Sequence, residues 1–420
     1  PLAEWIHNSR TPDKTKAIRR EKCFDKVSFR SGFDPTEEYL CISGFSHGFH
    51  SHPDANAIIR YCAEGEVRLY DDGYMIPALS EHNTVTILKN GWAARTPDFS
   101  QITAQADSPS VGLFETRLDN YNGIAWDRAV IWLKKDCFLI VDDLQCREAA
   151  EYAFQCIWRA LGQAHLEEKR WTVGKDGAQF TLVSASPAPL AQRQSAGTSL
   201  NSKPFPLSKA RALVQAANRK MEPGDRCLFA NLIHTTKGNE GPWKDAVQLR
   251  DEVSAYVIRR GNAIALAGVN GCTSLSRLAM AADVFCVTEE GLFAAGLRTL
   301  NAEGLAIRSD VPVDLDILWQ TGQAKITADT VARVICVAAG TETTIEVTPG
   351  APQAVAHLAS AQTWTRIHSQ LAEAYQLAKA PVANHEDTTR KQEHTLQPIW
   401  QYTDFRAYTN AGDVRGAQCR

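Results

Sequence analysis

The sequence predicts a mainly β protein, built as a large antiparallel β-sandwich with a helical segment near its C-terminus. Between residues 29 and 232, short runs of β-branched and aromatic residues alternate with turn-forming residues, and no helical stretch separates them. Strands repeated in this way favour antiparallel sheets that pack face to face. A second series of such runs spans residues 246–347, and the pattern becomes Ala-rich and helical from Pro352 to Lys379.

Composition and charge exclude several classes of protein. The chain has 420 residues, 44% of them hydrophobic and 22% charged, which is typical of a globular protein with a large core. Its net charge of −3 gives no overall attraction for nucleic acid, so a site for an acidic substrate has to be local. The sequence shows neither a run of membrane-spanning length nor a signal peptide. The 11 cysteines form no CxxC pair, which favours free thiols.

The N-terminal and central parts of the chain divide into three predicted regions. Residues 1–22 are polar and carry a basic run, and we interpret them as a connector from a preceding domain. Residues 23–245 hold the sandwich, in which the Ser-, Ala- and Pro-rich interval 184–207 is predicted to be a long surface loop. Residues 246–350 supply either the remaining sandwich strands or a smaller second sandwich.

The C-terminal part is predicted to be a helix followed by a linker. The helix is assigned to residues 351–383, where Ile367, Leu371 and Ala374 share one face and Pro381 ends the segment. Residues 384–420 are interpreted as a linker and the stub of a further β module, because the stretch after Ile399 resembles the opening of a propeller blade. A single blade cannot bury its own faces.

The stretch from residue 44 to residue 85 concentrates the candidate chemistry, because it holds four of the chain's 11 histidines. In extended chain, residues two apart lie on the same face, so His50 and His52 present their imidazoles side by side. Two β-prone runs flank Gly65, which predicts a hairpin that returns Asp71 towards His52. His82 lies 11 residues further on, before another β-branched run.

Two imidazoles and one carboxylate can therefore meet at the ends of adjacent strands. Two histidines and a carboxylate form a recognised zinc set that leaves one coordination position open. Because the spacing is loose, these residues alone favour solvent-facing or hydrogen-bonded histidines without a metal over a zinc site.

The order H-x-H, D-x-G-Y and H-N-T-V in this stretch resembles the heparinase II/III-like polysaccharide lyases. Further matches are Phe29-Arg30-Ser31-Gly32 upstream and the run from Asp127-Arg128 to Asp142-Asp143 downstream, so that the resemblance covers roughly residues 24–160. It implies that His50 is catalytic and that His52, Asp71 and His82 bind zinc. Asp72 is the rival of Asp71, although the family's D-x-G spacing favours Asp71.

The resemblance also implies an activity and a cellular location. Members of this family cleave uronic-acid polysaccharides such as glycosaminoglycans by β-elimination, outside the cytoplasm, in the periplasm or the extracellular space. They place the sandwich after a helical toroid domain that supplies part of the active site. Only about 28 residues precede the first match here, and the chain begins with Pro1, so we expect the sandwich part of a longer enzyme that is inactive or weak without the toroid. The expected partner is an anionic polysaccharide. We expect no binding of nucleic acid and no membrane-spanning segment.

Four further residues are candidates for substrate contacts: Arg30, Tyr74, Asn83 and Arg128. Ordinary packing or surface pairing is the alternative role for each of them. Two other functions also fit the sequence. One is a non-catalytic, metal-stabilised sandwich that binds glycan or docks other domains, and the other is a cupin-like metal enzyme. The sequence does not identify the polysaccharide.

Overall fold

The computed structural model describes residues 20–46, 54–71, 79–194, 210–238, 244–249, 254–275, 277–302, 304–356, 358 and 361–379. Its strands up to residue 194 are β1 (Lys26–Arg30), β2 (Tyr39–Ser43), β3 (Ile58–Ala63), β4 (Glu66–Tyr70), β5 (Val85–Lys89), β6 (Trp92–Ala93), β7 (Gln101–Asp107), β8 (Val111–Tyr121), β9 (Ile124–Leu133), β10 (Cys137–Cys146), β11 (Ala150–Leu161), β12 (Gln163–Glu167), β13 (Arg170–Lys175), β14 (Ala178–Ser184) and β15 (Leu190–Gln194).

The later strands are β16 (Ala210–Met221), β17 (Arg226–Lys237), β18 (Lys244–Gln248), β19 (Ala255–Arg260), β20 (Ala263–Val269), β21 (Cys272–Leu275), β22 (Leu278–Ala281), β23 (Val284–Val287), β24 (Gly291–Ala302), β25 (Leu305–Leu318), β26 (Ala324–Thr327), β27 (Ala332–Ala338), β28 (Thr341–Val347) and β29 (Gln353–Val355). Two 3₁₀ turns (Arg20–Lys22 and Leu79–Glu81) and one helix, α1 (Ala361–Lys379), complete the described elements.

The strands form three antiparallel sheets. The first sheet has the order β1-β2-β3-β4-β11-β16-β15, and β5 and β6 join it beside β11. The second sheet has the order β12-β13-β14-β17-β10-β9-β8-β7. The third sheet has the order β18-β19-β20-β23-β24-β25-β26-β29, with β21, β22, β27 and β28 attached to β24 and β25. The predicted mainly β, antiparallel sandwich with a C-terminal helix is therefore confirmed.

Alternating side chains show that the second sheet lies between the other two. On β10, Phe138 and Ile140 belong to the core shared with the first sheet, whereas Leu139 and Val141 belong to the core shared with the third sheet. Because successive residues of a strand point to opposite faces, a strand that is apolar at every position has to be covered on both sides. This explains why residues 137–141 are continuously apolar.

The third sheet folds over a core of its own. Residues 292–295 of β24 pair with β23, whereas residues 299–302 pair with β22, and the register shifts near Gly296, which has a φ of 68°. A bulge of this kind bends a strand and lets its two halves join different partners. The two halves of the sheet then share one apolar core, which α1 completes.

Helix α1 packs through one stripe of apolar side chains. Ile367, Leu371 and Tyr375 follow at four-residue intervals, and all three are buried in the core of the third sheet. The Tyr375 hydroxyl donates a hydrogen bond to Asp245 (2.9 Å), and Lys379 Nζ donates another to the same carboxylate (2.6 Å). None of the described helices is long and apolar enough to cross a membrane.

Two sequence predictions need correction. The helix begins at Ala361 rather than at residue 351 or 352, because residues 353–355 form β29 at the edge of the third sheet. The interval 184–207 is not one continuous loop, because residues 190–194 form β15 and pair with β16. Among the described residues, the third sheet has 12 strands, compared with nine and eight in the other two. Residues 1–19 and 381–420 lie outside the described part, and so do the predictions made for them.

Candidate functional site

Asp71 and His82 meet where β11 of the first sheet changes its pairing partner from β4 to β5. Strands β4 and β5 both pair with β11, β4 at Ala160 and β5 at residues 152–156. The end of β4 and the start of β5 therefore face each other. Asp71 follows β4 directly, and His82 lies between the 3₁₀ turn Leu79–Glu81 and β5. His82 Nδ1 is 2.7 Å from Asp71 Oδ1, a hydrogen bond that the carboxylate accepts.

The ion pair determines the protonation of the buried imidazole. The His82 side chain is 0% exposed, and burial alone lowers the pKa of a histidine. The negative charge of Asp71 and its hydrogen bond outweigh this effect, with a smaller contribution from Asp54, so the pKa of His82 is raised. Asp71 is thus the main group that favours the protonated form of His82.

A second carboxyl group, Asp54, belongs to the same cluster and was missed in the sequence. It is buried, and burial together with the negative charge of Asp71 raises its pKa to about 6, against the opposing effects of His82 and Lys26. Its backbone carbonyl accepts a hydrogen bond from the amide of Ala57 (2.9 Å) and so closes the turn before β3. In the sequence, Asp54 follows His52-Pro53 directly, but no spacing rule identified it as part of the site.

Asn83 is a structural centre beside His82. Its Nδ2 donates hydrogen bonds to the carbonyl oxygens of Ile58 (3.0 Å) and Tyr70 (3.2 Å), and its Oδ1 accepts one from the amide of Arg159 (2.6 Å). One buried amide thereby joins β3, β4 and β11. Because these bonds use the donors and the acceptor of its side chain, Asn83 acts on the site by holding its strands together.

Arg128 is also inside the protein. Its side chain is 1% exposed and forms a two-armed ion pair with Asp142 (2.7 and 3.1 Å). Its Nη1 donates a hydrogen bond to the carbonyl oxygen of Asn56 (2.7 Å). A direct contact between Arg128 and a polysaccharide would require this buried ion pair to open. The position of Arg128 therefore agrees with its alternative role, a structural ion pair.

A charged triad includes Glu81, the residue before His82 in the sequence. Glu81 accepts from Arg159 Nη2 at 2.9 Å, and Arg193 Nη1 lies 3.7 Å from its second oxygen. Arg159 is buried, whereas the Arg193 side chain is 35% exposed. Arg193, on the edge strand β15, is therefore the accessible cation of this triad.

Arg30 lies away from this cluster. The positive charge of Lys26, the first residue of β1, acts on Asp54. Arg30 is the last residue of the same strand, about 13 Å from Lys26 along an extended chain. Its guanidinium lies over the rings of Tyr39 (4.3 Å to the centroid) and Phe33 (5.4 Å).

Four of the predicted site residues, His50, His52, Asp72 and Tyr74, lie outside the described residues. His52 is two positions before Asp54 in the sequence. Within the described part of the chain, histidine, cysteine, aspartate and glutamate side chains form no group of three placed to hold a metal. Of the predicted ligands, the described residues thus bring together Asp71 and His82.

Comparison with known proteins gives similarity at the level of the fold. No protein-family model matches the chain, and no curated protein sequence matches it significantly. Among solved structures, it is similar to heparan sulfate lyase HepC from Pedobacter heparinus (14% identity, 56% of this chain and 40% of that chain, TM-score 0.46). It is also similar to a heparinase III (10% identity, 59% and 40%, TM-score 0.45).

A third similar structure is a putative aldose 1-epimerase from Escherichia coli K12 (7% identity, 50% of this chain and 99% of that chain, TM-score 0.33). The chain spans about 40% of the length of the two lyase structures.

Proposed function

We propose that this chain is the metal-bearing sandwich part of a polysaccharide lyase that cleaves a uronic-acid polymer by β-elimination. The observation that supports this proposal is the buried pair of Asp71 and His82, with Asp54 beside it. In the sequence, the H-x-H segment ends two residues before Asp54.

Asp71 and His82 fit a zinc ion. Asp71 Oδ2 is buried and has no hydrogen-bond partner among the described residues, which is costly for a carboxylate oxygen unless a cation satisfies it. Imidazole nitrogen and carboxylate oxygen are ordinary zinc ligands. We propose His52, Asp71 and His82 as the ligands. When bound, zinc would supply a fixed positive charge that ties the H-x-H segment to the start of β5.

The chemistry requires a proton to leave the carbon next to the uronate carboxylate and another to reach the departing oxygen. We propose His50 for this proton transfer, because an imidazole titrates near neutral pH. We propose separate roles for the two histidines of the H-x-H pair, His50 towards substrate and His52 towards metal. Asn83 and Arg128 would keep the supporting strands in place, and Arg193 is the accessible cation available to an acidic polymer.

The proposal is tested by incubating the protein, at its full natural length, with a panel of uronic-acid polymers that includes heparan sulfate, chondroitin, hyaluronan and alginate. Lyase activity appears as ultraviolet absorbance of the unsaturated product. We expect His50→Ala to abolish turnover while zinc content and melting temperature stay the same, and His165→Ala, at an exposed position of β12, to leave turnover unchanged. Full activity of His50→Ala, or binding of polymers without any product, would contradict the proposal.

A further inference from the structure

A cleft whose lining includes neither Asp71 nor His82 lies where all three sheets meet. Its volume is 650 Å³, within the range of roughly 300–1,000 Å³ that is usual for small-molecule sites. One end is formed by β1 of the first sheet, one wall by β7, β8 and β9 of the second, and the other wall by β25 and β26 of the third.

The wall from the third sheet presents charged groups of both signs. Asp314 and Asp316 lie two residues apart on β25 and so point to the same side of the strand. Asp316 is the direct cross-strand partner of Lys325 on β26. Asp314 accepts a hydrogen bond from the amide of Gly296 (3.1 Å), which fixes its position.

The opposite wall also pairs a cation with a carboxylate. Lys134 Nζ lies 2.7 Å from an oxygen of Asp107 and 5.6 Å from the centre of the Trp132 ring. Arg30 lines the end of the cleft. The Arg30 guanidinium lies over the ring of Phe33, a residue that is 89% exposed.

The charge balance of the lining decides which ligand fits. Three cations (Arg30, Lys134 and Lys325) face three carboxylates (Asp107, Asp314 and Asp316), so the cleft has no net attraction for a polyanion. A sugar hydroxyl both donates and accepts hydrogen bonds, so neighbouring hydroxyls suit a carboxylate next to an ammonium group. The flat apolar face of a sugar ring suits an exposed aromatic ring. Acidic sugars offer the same hydroxyls, but the carboxylates of the lining repel their charged groups, so the lining favours an uncharged sugar.

We propose that this cleft is a binding site for a short, uncharged oligosaccharide, separate from the Asp71–His82 cluster. Hydroxyl pairs of the sugar would bind the Asp316–Lys325 and Asp107–Lys134 pairs, and a further ring would lie against Phe33. Arg30, which the sequence analysis assigned to the acidic substrate, contributes to this second site. The proposal does not depend on lyase activity.

Binding is measured by isothermal titration calorimetry with cellotriose, maltotriose and N,N′,N″-triacetylchitotriose as probes. We expect saturable one-to-one binding of at least one probe. The double variant Asp316→Asn/Lys325→Met keeps the net charge and should weaken that binding by about tenfold or more, because two charge-assisted hydrogen bonds are lost. The single variant Asp316→Asn, a milder change on the same wall, should weaken it by a smaller factor.

The matched control is Arg333→Met/Glu346→Gln, which removes an exposed cross-strand pair of the same kind on β27 and β28, outside the cleft. The control should bind the probe as the unmodified protein does. Absence of binding by all three probes at about 10 mM would overturn the proposal. So would undiminished binding by both cleft variants, or an equal loss in the control.

Discussion

At the scale of single residues, the region around Asp71 and His82 depends on charged groups that are buried in pairs. Arg128 and Asp142 lie between the first two sheets, and Arg128 also holds the carbonyl oxygens of Asn56 and Asn83. A buried ion pair contributes little net stability when it is intact, because desolvation offsets attraction. Removing one partner is costly, because the other is left buried without compensation. The main effect of Arg128 is therefore to fix where residues 56 and 83 lie.

Replacing Arg128 by Met should lower the free energy of unfolding by roughly 3–5 kcal/mol. Asp142 would then keep only weaker partners, such as Trp126 Nε1 (2.8 Å). Urea unfolding measures this loss, and Arg147→Met, at an exposed position, serves as the control. Adding Asp142→Leu should recover part of the stability. An Arg128→Met protein as stable as the control would show that the pair does not support the site.

The two candidate aspartates can be separated by metal content. We expect the purified protein to carry about one zinc. Asp71→Ala should lose the metal and melt at a lower temperature, because a structural metal stabilises the folded state. Asp72→Ala, one position further along the chain, should keep both. Elemental analysis of protein that has not met a chelator measures the difference. Equal zinc in Asp71→Ala and the unmodified protein would exclude Asp71 as a ligand.

The sequence was sufficient to predict the surroundings of some of these residues but not of others. The hairpin around Gly65 was readable from its turn, where Glu64 and Gly65 both have positive φ, and its two strands pair as predicted. Burial of a polar side chain has no comparable local signal. Asn83 and Arg128 were therefore assigned to substrate, although their partners lie on strands far away in the sequence.

At the scale of elements, the site exists because β11 is long enough to pair with two strands in succession. Its 12 residues pair with β4 near one end and with β5 further along, and the segment between those strands carries His82 and Asn83. Asn83 closes the gap with three hydrogen bonds. The local patterns predicted each strand, but not which strands share a neighbour, because that depends on pairing between distant residues.

Helix α1 offers a direct test of element packing. Leu371 is fully buried between α1 and the third sheet, whereas Leu377, on the same helix, is 59% exposed. Leu371→Ala should lower the free energy of unfolding by about 2–5 kcal/mol, because it leaves a cavity. Leu377→Ala should change it by about 0.5 kcal/mol or less. Denaturant unfolding compares the two variants. Similar values for both would mean that α1 is not docked through the stripe of Ile367, Leu371 and Tyr375.

At the scale of the whole molecule, the three sheets are joined through interfaces of different chemistry. The core between the first and second sheets is rich in aromatic residues, such as the edge-to-face pairs that Phe29 forms with Phe114, Trp132 and Phe138. The interface between the second and third sheets also buries acidic groups. Glu115 on β8 lies near Asp127 of its own sheet and near Asp283 of the third. Sequence periodicity predicted apolar cores but gave no sign of this acidic interface.

Glu115 should make the stability of the stacked sheets depend on pH. Burial, followed by the charge of Asp127, raises the pKa of Glu115 to about 8 from an ordinary value of 4.5, although Thr103 donates a hydrogen bond to it (2.7 Å) and Arg117 is near. The folded state therefore holds a proton that the unfolded chain releases above pH 4.5. Stability from this group falls as pH rises from about 4.5 to about 8, and it is constant outside that range.

Glu115→Gln removes this penalty, because a neutral amide can still accept the bond from Thr103. The free energy of unfolding of the variant, relative to that of the unmodified protein, should be roughly 2–5 kcal/mol higher at pH 8.5 than at pH 5. Urea unfolding at the two pH values measures the gain, and Glu151→Gln, at an exposed position of β11, should show none. A gain that is the same at both pH values would mean that Glu115 is already ionised at pH 5 in the folded protein, and that the acidic interface is held together by Arg117 and its neighbours instead.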